Sequence, residues 1–243
     1  MKTRFSPLLP VLLALGANWC LTVLLVAGEP DFAAARGRMV ADQLAGRDIT
    51  NQLVLQVMRT LPRHEFVPRP LRGQAYGDHP LPIGHGQTIS QPYIVAFMTQ
   101  ALEPRTNDVV LEVGTGSGYQ AAVLARLVKT VYTIEIVEPL ARRAEADLKR
   151  LAFTNVQVRA GDGYQGWPSA APFDAIIVTC APDHIPQPLV AQLKEGGRMI
   201  IPVGPAPHQS LYLLRKESGQ VRQQAILPVR FVPMTGRAEE PNK

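Results

Sequence analysis

Cysteine is scarce in this sequence, and histidine is scattered along it. Two cysteines, Cys20 and Cys180, occur in 243 residues. Cys20 lies in an apolar N-terminal segment and Cys180 in a predicted buried strand region, so the pair cannot form a disulfide framework. The five histidines show no metal-ligand spacing, which predicts that the protein uses no metal ion.

Charge is also sparse and carries no strong sign. Charged residues make up 19% of the chain, and the formal net charge is +5. The sequence contains no basic run interleaved with aromatic residues, so nothing indicates a nucleic-acid partner. Internal repeats and low-complexity tracts are absent as well. A hydrophobic content of 46% over this length suits one globular domain with a sizeable core.

The first 28 residues differ from the rest of the chain. Lys2 and Arg4 precede a long apolar stretch, residues 8–27, which ends in small residues. This layout is typical of a secretory signal peptide or an uncleaved membrane anchor. The alternative interpretation is a wrongly assigned start codon, with synthesis beginning at Met39.

Two amphipathic helices are predicted after this leader, at residues 32–44 and 51–61. Their apolar residues recur at intervals of three and four. Asp48 or Thr50 is expected to cap the second helix, and Pro62 is expected to end it.

A Pro- and Gly-rich stretch, residues 62–86, separates these helices from the next one. A connection of that length inside a compact domain is usually functional. The next helix is predicted at residues 92–102, with Pro92 in its first turn.

Strands and helices then alternate, which predicts an α/β fold with a doubly wound, mostly parallel sheet. The continuous apolar character of residues 173–179 predicts a central strand buried on both faces. The last strands follow one another without helices and are expected to add an antiparallel edge. The predicted strands are 109–113, 131–136, 156–159, 173–179, 199–203, 210–215, 220–227 and 229–232, and the predicted helices are 120–128, 139–151 and 189–193, the last ended by Gly196 and Gly197.

A glycine-rich turn follows the first strand of this sheet. It reads Gly114-Thr115-Gly116-Ser117-Gly118, and glycines let the backbone approach a ligand where a side chain would collide. Glu112 lies two residues before the turn. Glu135 ends the next strand, about 20 residues on, where an acid usually accepts hydrogen bonds from ribose hydroxyls. The pattern predicts an adenosine-bearing ligand at the end of the strand.

The chemistry of the turn favours a cationic ligand over a diphosphate. Its spacing is G-x-G-x-G, whereas dinucleotide-binding dehydrogenases have G-x-G-x-x-G. Glu112 would repel a pyrophosphate and attract a sulfonium. A nicotinamide dinucleotide site is therefore disfavoured, and a plain tight turn with surface acids remains the alternative.

A second segment narrows the range of possible functions. Gly86-Gln87-Thr88-Ile89-Ser90-Gln91-Pro92 precedes the glycine turn, and together the two resemble the protein-L-isoaspartate O-methyltransferase family, which uses S-adenosylmethionine. The resemblance covers roughly residues 36–236. It implies a doubly wound Rossmann-like methyltransferase sheet, mostly parallel with an antiparallel C-terminal edge, preceded by N-terminal helices.

The resemblance also implies roles for individual residues. Ser90 would be catalytic, Glu135 would hold the ribose, and Asp162 would hold the adenine amine. Gln87, Thr88 and Ile89 would bind the acceptor, and Glu112, Gly114, Thr115, Gly116, Ser117, Gly118 and Gly163 would complete the cofactor site.

An isoaspartyl α-carboxylate is already ionised at neutral pH, so the reaction that the resemblance implies needs no strong base. Ser90 and Thr88 are expected to orient the carboxylate through hydrogen bonds without taking a proton. A cap for the following helix is the alternative role of Ser90 and is compatible with the first.

Partners, location and domain limits follow from the same resemblance. The expected partners are damaged proteins and peptides that bear isoaspartyl residues, with no nucleic acid, and the chain is expected to be a monomer. S-adenosylmethionine is kept in the cytosol, so a cytoplasmic location is expected; a periplasmic or membrane-anchored location through residues 1–28 is the alternative. Residues 29–243 would form one methyltransferase domain, divided into 29–104, 105–204 and 205–236.

Two other functions stay open. One is an S-adenosylmethionine-dependent methyltransferase with a different small-molecule acceptor. The other is a non-catalytic protein that binds adenosyl ligands.

Overall fold

A seven-stranded sheet forms the centre of the structure, a computed structural model that describes residues 31–239. The predicted leader at residues 1–28 lies outside the described residues and stays a prediction. The strands are β1 (Leu81–Gly84), β2 (Gln87–Ile89), β3 (Val109–Val113), β4 (Thr130–Glu135), β5 (Val156–Ala160), β6 (Phe173–Val178), β7 (Leu193–Val203), β8 (Gln209–Glu217) and β9 (Gln220–Val229).

The strand order confirms the predicted doubly wound sheet with an antiparallel edge. The order is β5-β4-β3-β6-β7-β8-β9, and β1 pairs with β2 in a separate antiparallel hairpin. Strands β3 to β7 are parallel, whereas β8 and β9 run antiparallel. β3 has β4 on one side and β6 on the other, so the winding reverses there. Ligands of such sheets bind at the carboxyl ends of the strands beside this reversal.

The helices occupy both sides of the sheet and the N-terminal part of the described chain. The helix predicted at residues 92–102 has the predicted bounds. The first predicted helix changes its hydrogen-bonding pattern at Met39 and continues as a π-helix. The helices are α1 (Phe32–Arg38), the π-helical Met39–Ala45, α2 (Gln52–Thr60), α3 (Pro92–Leu102), α4 (Tyr119–Ala125), α5 (Glu138–Arg150) and α6 (Gln187–Ala191).

The core lies on both faces of the sheet. β6 is central, and every side chain of this strand except Asp174 is fully buried, as predicted from its apolar run. Among residues 31–239, no helix is long and apolar enough to cross a bilayer.

The cap of α2 differs from the prediction. Asn51 is the N-cap, and its side-chain oxygen accepts hydrogen bonds from the backbone N–H groups of Leu53 and Val54. The carboxylate of Asp48 instead accepts a hydrogen bond from the Tyr93 hydroxyl, and the Thr50 backbone N–H donates to Gln100. Asp48 and Thr50 therefore hold the loop against α3 and leave the cap to their neighbour.

The helix near residue 190 also ends earlier than predicted. α6 stops at Ala191, and β7 already begins at Leu193, so Gly196 and Gly197 lie inside a strand. Gly196 has φ of +73°, and the pairing between β6 and β7 shifts register across this glycine pair. The two glycines mark an irregularity in the strand, not the end of a helix.

The strand predicted at residues 229–232 is not formed. β9 ends at Val229, and the following residues leave the sheet. The side chain of Gln209, which is buried, accepts a hydrogen bond from the Phe231 N–H at 2.6 Å and donates one to the Phe231 carbonyl oxygen at 3.3 Å. A side-chain amide thus takes the hydrogen bonds that a neighbouring strand would have supplied.

Candidate active site

The glycine turn lies at the carboxyl end of β3, where the winding of the sheet reverses. Gly114, Gly116 and Gly118 all have positive φ, at 96°, 53° and 83°. A Cβ on Gly114 would overlap the Thr179 hydroxyl oxygen. Thr179, which follows β6, donates a hydrogen bond from that hydroxyl to the Gly114 carbonyl oxygen at 2.6 Å. The turn therefore needs glycine at residue 114 and is held by the neighbouring strand.

The β1–β2 hairpin covers this turn. Ile83 is buried, and its Cδ1 lies 3.5 Å from the point where a Cβ on Gly116 would be. This hairpin was not predicted: residues 81–86 were expected in the connection at residues 62–86, and residues 87–89 in the segment that precedes the helix at 92–102. The hairpin brings Gln87 and Thr88 over the carboxyl edge of the sheet.

The main cleft lies between the hairpin and the sheet edge, and the space within it, open solvent included, is about 560 Å³. It is lined by Gln87, Thr88, Val113, Gly114, Gly116, Ile134, Glu135, Ile136, Gly163, Thr179, Cys180 and residues 232–235.

A smaller inner cavity adjoins the main cleft, and the space within it, open solvent included, is about 330 Å³. Ser90 and Glu112 both contribute to its wall. The remaining lining residues are Thr88, Ile89, Val95, Gly114, Thr115, Gly116, Ser117, Tyr119, Gln120 and Thr179.

An outer groove opens on the other side of Ser90. It shares Ser90, Thr88 and Thr179 with the inner cavity. Its other lining residues are Pro80, Gln91, Ile94, Ala206, Pro207 and residues 228–232. Thr88 and Thr179 line all three spaces, so the main cleft, inner cavity and outer groove meet beside them.

Glu135 fixes the glycine turn to the end of β4. The residue is buried, and its carboxylate accepts hydrogen bonds from the backbone N–H of Gly116 at 2.7 Å and of Val137 at 2.9 Å. It also lines the main cleft, and its role toward a ribose stays a prediction.

Glu112 is fully buried behind the turn. Burial raises the pKa of its carboxyl to about 8, a hydrogen bond from Thr133 opposes the rise, and the charge of Glu135 adds to it. The Thr133 hydroxyl donates to Glu112 Oε2 at 2.6 Å and lies 2.6 Å from the Thr115 hydroxyl. Within residues 31–239, Glu112 Oε1 has no hydrogen-bond partner. A buried oxygen of this kind gains from a cationic or hydrogen-bond-donating ligand in the inner cavity.

The remaining predicted turn residues divide into two groups. Thr115 and Ser117 line the inner cavity, and the Ser117 hydroxyl accepts a hydrogen bond from the Tyr119 N–H at 3.3 Å. Gly118 does not line any of the three spaces. A Cβ there would lie 3.3 Å from Leu148 of α5, so this glycine serves helix packing.

Asp162 and Gly163 lie beyond β5. Gly163 lines the main cleft, but Asp162 does not. The Asp162 carboxylate accepts backbone hydrogen bonds from Tyr164 and from Arg237, each at 2.9 Å. The residue thus fastens the C-terminal segment beside the cleft, and its role toward an adenine stays a prediction.

Ser90 stands between the inner cavity and the outer groove. The N-cap of α3 is Gln91, and no side chain caps this helix, so the alternative role of Ser90 as a helix cap is wrong. Among the described residues, the Ser90 hydroxyl has no hydrogen-bond partner, whereas its carbonyl oxygen accepts one from Arg63 at 2.7 Å. The hydroxyl is therefore free to bind a ligand.

Two parts of the site, Thr179 and residues 232–235, were not predicted. They line the main cleft together with Cys180 because the chain beyond β9 returns to the exit of β6. The backbone N–H of Ala181 donates to the Val232 carbonyl oxygen, and that of Met234 donates to the Ala181 carbonyl oxygen, both at 2.8 Å. The only signal available was that residue 179 ends a strand beside the predicted turn. Burial raises the pKa of the Cys180 thiol to about 12, which keeps it protonated.

Comparison with known proteins places this arrangement in a family. The family model described as protein-L-isoaspartate(D-aspartate) O-methyltransferase matches residues 35–239. The chain belongs to this family. A protein-L-isoaspartate O-methyltransferase from Opitutus terrae is 56% identical over 222 residues, which cover 88% of this chain and 95% of the relative. A protein-L-isoaspartate O-methyltransferase 1 from Cupriavidus necator is 51% identical, with 95% of this chain and 93% of the relative covered.

Solved structures of the family share the fold. A protein-L-isoaspartate O-methyltransferase structure superimposes with a TM-score of 0.75 at 28% identity, over 84% of this chain and 67% of the other. A Plasmodium falciparum protein assigned to the same activity, solved in complex with S-adenosyl-L-homocysteine, gives a TM-score of 0.71 at 25% identity, over 85% of this chain and 99% of the other.

The residues of the main cleft and inner cavity fit the cofactor of an isoaspartyl methyltransferase. The glycine turn leaves space that a Cβ would fill, and Glu112 presents an unpartnered buried oxygen. An adenosyl sulfonium ligand matches both features, because its methionine part carries positive charge. Among the described residues, no cluster of ligating side chains suits a metal ion.

Proposed function

We propose that this chain transfers the methyl group of S-adenosylmethionine to the α-carboxylate of L-isoaspartyl residues in damaged proteins and peptides, with Ser90 orienting the acceptor. The observation that carries the proposal is the meeting of three spaces beside Thr88 and Thr179. A cleft for the donor and a groove for the acceptor join where the Ser90 hydroxyl is free.

On the donor side, the glycine turn and Glu112 hold the methionine part of S-adenosylmethionine. Glu135 holds the ribose, and Gly163 and Asp162 lie on the adenine side. S-adenosylmethionine supplies an activated methyl group on a sulfonium. The buried carboxyl of Glu112 is most useful when ionised, because the ligand is cationic.

On the acceptor side, the outer groove receives the peptide. Proline and aliphatic side chains make up much of its lining, and Arg230 is its one charged lining residue. Such a groove follows the peptide backbone and reads few side chains, which suits a substrate defined by a lesion and not by a sequence. Ser90, at the inner end of the groove, meets the isoaspartyl carboxylate.

The chemistry needs orientation more than acid–base catalysis. The carboxylate is ionised at neutral pH, so the hydroxyls of Ser90 and Thr88 donate hydrogen bonds to it and take no proton. One carboxylate oxygen attacks the methyl carbon, and the carbon–sulfur bond breaks with its electron pair passing to sulfur. The products are a neutral methyl ester and a neutral thioether.

Enclosure of the reacting groups accelerates this step. An anion and a cation combine into neutral groups, and water stabilises the separated charges more than the transition state. Gln87, Thr88 and Ile89 line the space above the glycine turn, and we expect them to limit the access of water once both reactants are bound. Holding the two reactants about 3 Å apart and in line also removes much of the entropic cost of their meeting.

The proposal also covers the domain organisation, oligomeric state, partners and cellular location of the protein. The whole of residues 29–243 acts as one methyltransferase domain, and the protein works as a monomer on isoaspartyl proteins and peptides, without nucleic acid. It works in the cytoplasm, because its cofactor is kept there; a periplasmic or membrane-anchored site through residues 1–28 is the alternative.

The test is methyl transfer from labelled S-adenosylmethionine to two peptides that differ only in an isoaspartyl or a normal aspartyl residue. We expect the full-length chain to label the isoaspartyl peptide alone. Equal labelling of both peptides, or none with S-adenosylhomocysteine still bound, would contradict the proposed acceptor.

A further inference from the structure

The β1–β2 hairpin of the candidate active site is held by its buried side chains Leu81, Ile83 and Ile89 and by polar contacts with other elements. It carries the acceptor residues, yet it has only two strands and is separate from the main sheet. A two-stranded hairpin is marginally stable on its own in water. Its position over the glycine turn must therefore come from contacts with other elements.

Arg143 supplies one such contact. It lies on α5, and its Nη1 donates a hydrogen bond to the Ile83 carbonyl oxygen at 2.9 Å. Ile83 belongs to β1 and packs on Gly116, so this bond lies next to the contact between hairpin and turn. The second terminal nitrogen of Arg143 is buried and has no partner among residues 31–239.

Arg63 supplies a second contact at the other end of the acceptor segment. It is fully buried, and it donates from Nη2 to the Ser90 carbonyl oxygen at 2.7 Å and from Nε to the Ala75 carbonyl oxygen at 2.8 Å. Its guanidinium lies over the Tyr119 ring, 5.0 Å from the centroid. Tyr119 begins α4 directly after the glycine turn, so Arg63 joins the Ser90 loop to the donor side of the site.

Neither arginine owes its place to an ion pair. Within the described residues, no carboxylate lies within salt-bridge distance of Arg63 or Arg143. Burial of Arg63 lowers its pKa to about 10, and the neighbouring Tyr119 and Tyr76 oppose this fall. A buried, unpaired guanidinium is unfavourable for stability, so stability alone does not explain it.

We infer that Arg63 and Arg143 are positioning residues that hold the acceptor segment, residues 81–90, over the methyl donor, one at each end. The inference rests on the proposed function and adds residues that touch neither donor nor acceptor. An arginine suits this task because its planar guanidinium donates several hydrogen bonds in fixed directions. A displacement of about 1 Å in an active site can cost roughly 100-fold in rate, so small shifts of Ser90 matter.

Two matched pairs of variants test the inference. Arg143→Ala is compared with Arg142→Ala, whose arginine is the exposed neighbour on α5 and pairs with Glu138. Arg63→Lys is compared with Arg198→Lys, because Arg198 is also fully buried and donates to the backbone carbonyls of Leu102 and Glu103, and it differs from Arg63 in its ion pair with Asp108.

The first measurement is hydrogen–deuterium exchange of the peptide that covers residues 81–91, in the full-length protein. We expect exchange about 10-fold faster in Arg143→Ala and Arg63→Lys, as the loss of one charge-assisted hydrogen bond implies. Arg142→Ala and Arg198→Lys should leave this peptide at the wild-type rate. If Arg63→Lys does not fold, the pair at residues 142 and 143 still decides the question.

The second measurement separates kcat from KM and follows dissociation of S-adenosylhomocysteine. We expect Arg63→Lys to lower kcat about 10-fold with little change in the KM for S-adenosylmethionine, and Arg143→Ala to speed S-adenosylhomocysteine dissociation several-fold. Unchanged exchange at residues 81–91 together with unchanged dissociation would overturn the inference. A wild-type protein that methylates no isoaspartyl peptide would refute the proposed acceptor, while exchange and dissociation would still test the two arginines.

Discussion

The hydroxyl of Thr179 donates a hydrogen bond to the carbonyl oxygen of Gly114 at 2.6 Å, and so ties the exit of β6 to the turn after β3. The same hydroxyl lies 3.1 Å from the Val113 carbonyl oxygen. The bond fixes the peptide plane that follows Gly114. The geometry of the cofactor site therefore depends on a residue from the neighbouring strand.

Replacing Thr179 by valine should loosen the glycine turn. We expect S-adenosylhomocysteine affinity to fall about 5- to 10-fold, which corresponds to the loss of one hydrogen bond. Titration calorimetry measures the change. Thr60→Val is the control, because Thr60 lies at the end of α2 and bonds only within that helix; an equal loss in both variants would refute the role of Thr179.

Replacing Ser90 by alanine should slow methyl transfer without weakening cofactor binding. We expect kcat/KM for an isoaspartyl peptide to fall about 10-fold, because one hydrogen bond to the acceptor carboxylate is lost. S-adenosylhomocysteine affinity should match that of the wild type. Ser210→Ala on β8 is the control. Wild-type kinetics in Ser90→Ala would remove Ser90 from the mechanism.

Replacing Gly114 by alanine should abolish cofactor binding. Its φ of 96° is unfavourable for any residue with a Cβ, and that Cβ would overlap the Thr179 oxygen. We expect a loss of about 1–3 kcal/mol in the free energy of unfolding, in addition to the loss of binding. Gly37→Ala in α1 is the control, because nothing lies within 4 Å of a Cβ there and alanine favours helix. Chemical denaturation and calorimetry measure the two effects.

Glu112 should make the stability of the ligand-free protein depend on pH. Burial raises its pKa from 4.5 to about 8, so the folded protein keeps a proton that the unfolded chain has lost. The contribution is fully present below pH 4.5 and is lost as the pH rises toward about 8. Between these values, the free energy of unfolding should fall more steeply with pH in the wild type than in Glu112→Gln.

The same carboxyl should link cofactor binding to proton release. A cationic ligand favours the ionised form of Glu112, so binding below its pKa of about 8 expels the proton. Calorimetry in buffers of different ionisation enthalpy should detect this release for S-adenosylmethionine in the wild type. The release should be smaller in Glu112→Gln, while Glu138→Gln on the exposed face of α5 should behave like the wild type. No difference between the wild type and Glu112→Gln would show that Glu112 keeps its charge state on binding.

Local patterns in the sequence were sufficient to predict the sheet and the cofactor-binding side of the site. The continuous apolar run of β6 and the glycines after β3 determine buried parallel strands and a tight turn through short-range sterics. The position of Glu135 beside the turn could also be predicted, because an acid at the end of β4 lies at the same sheet edge as the turn.

Contacts between distant parts of the chain could not be predicted from local sequence patterns. Gln209 replaces a strand partner for Phe231 through its side chain, which strand patterns do not encode. Asn51 caps α2 because Asp48 bonds to Tyr93, a residue more than 40 positions away. The contact between Arg63 and Ser90 could not be predicted, because no sequence pattern near Arg63 indicates Ser90 as its hydrogen-bond partner.

The wall of the main cleft formed by residues 232–235 has a consequence for biosynthesis. These residues follow the nine strands of the described chain, and they dock on Ala181 to close the site. A chain whose residues 232–235 have not yet left the ribosome therefore lacks one side of the cleft. We expect affinity for the methyl donor to arise only after these residues have docked.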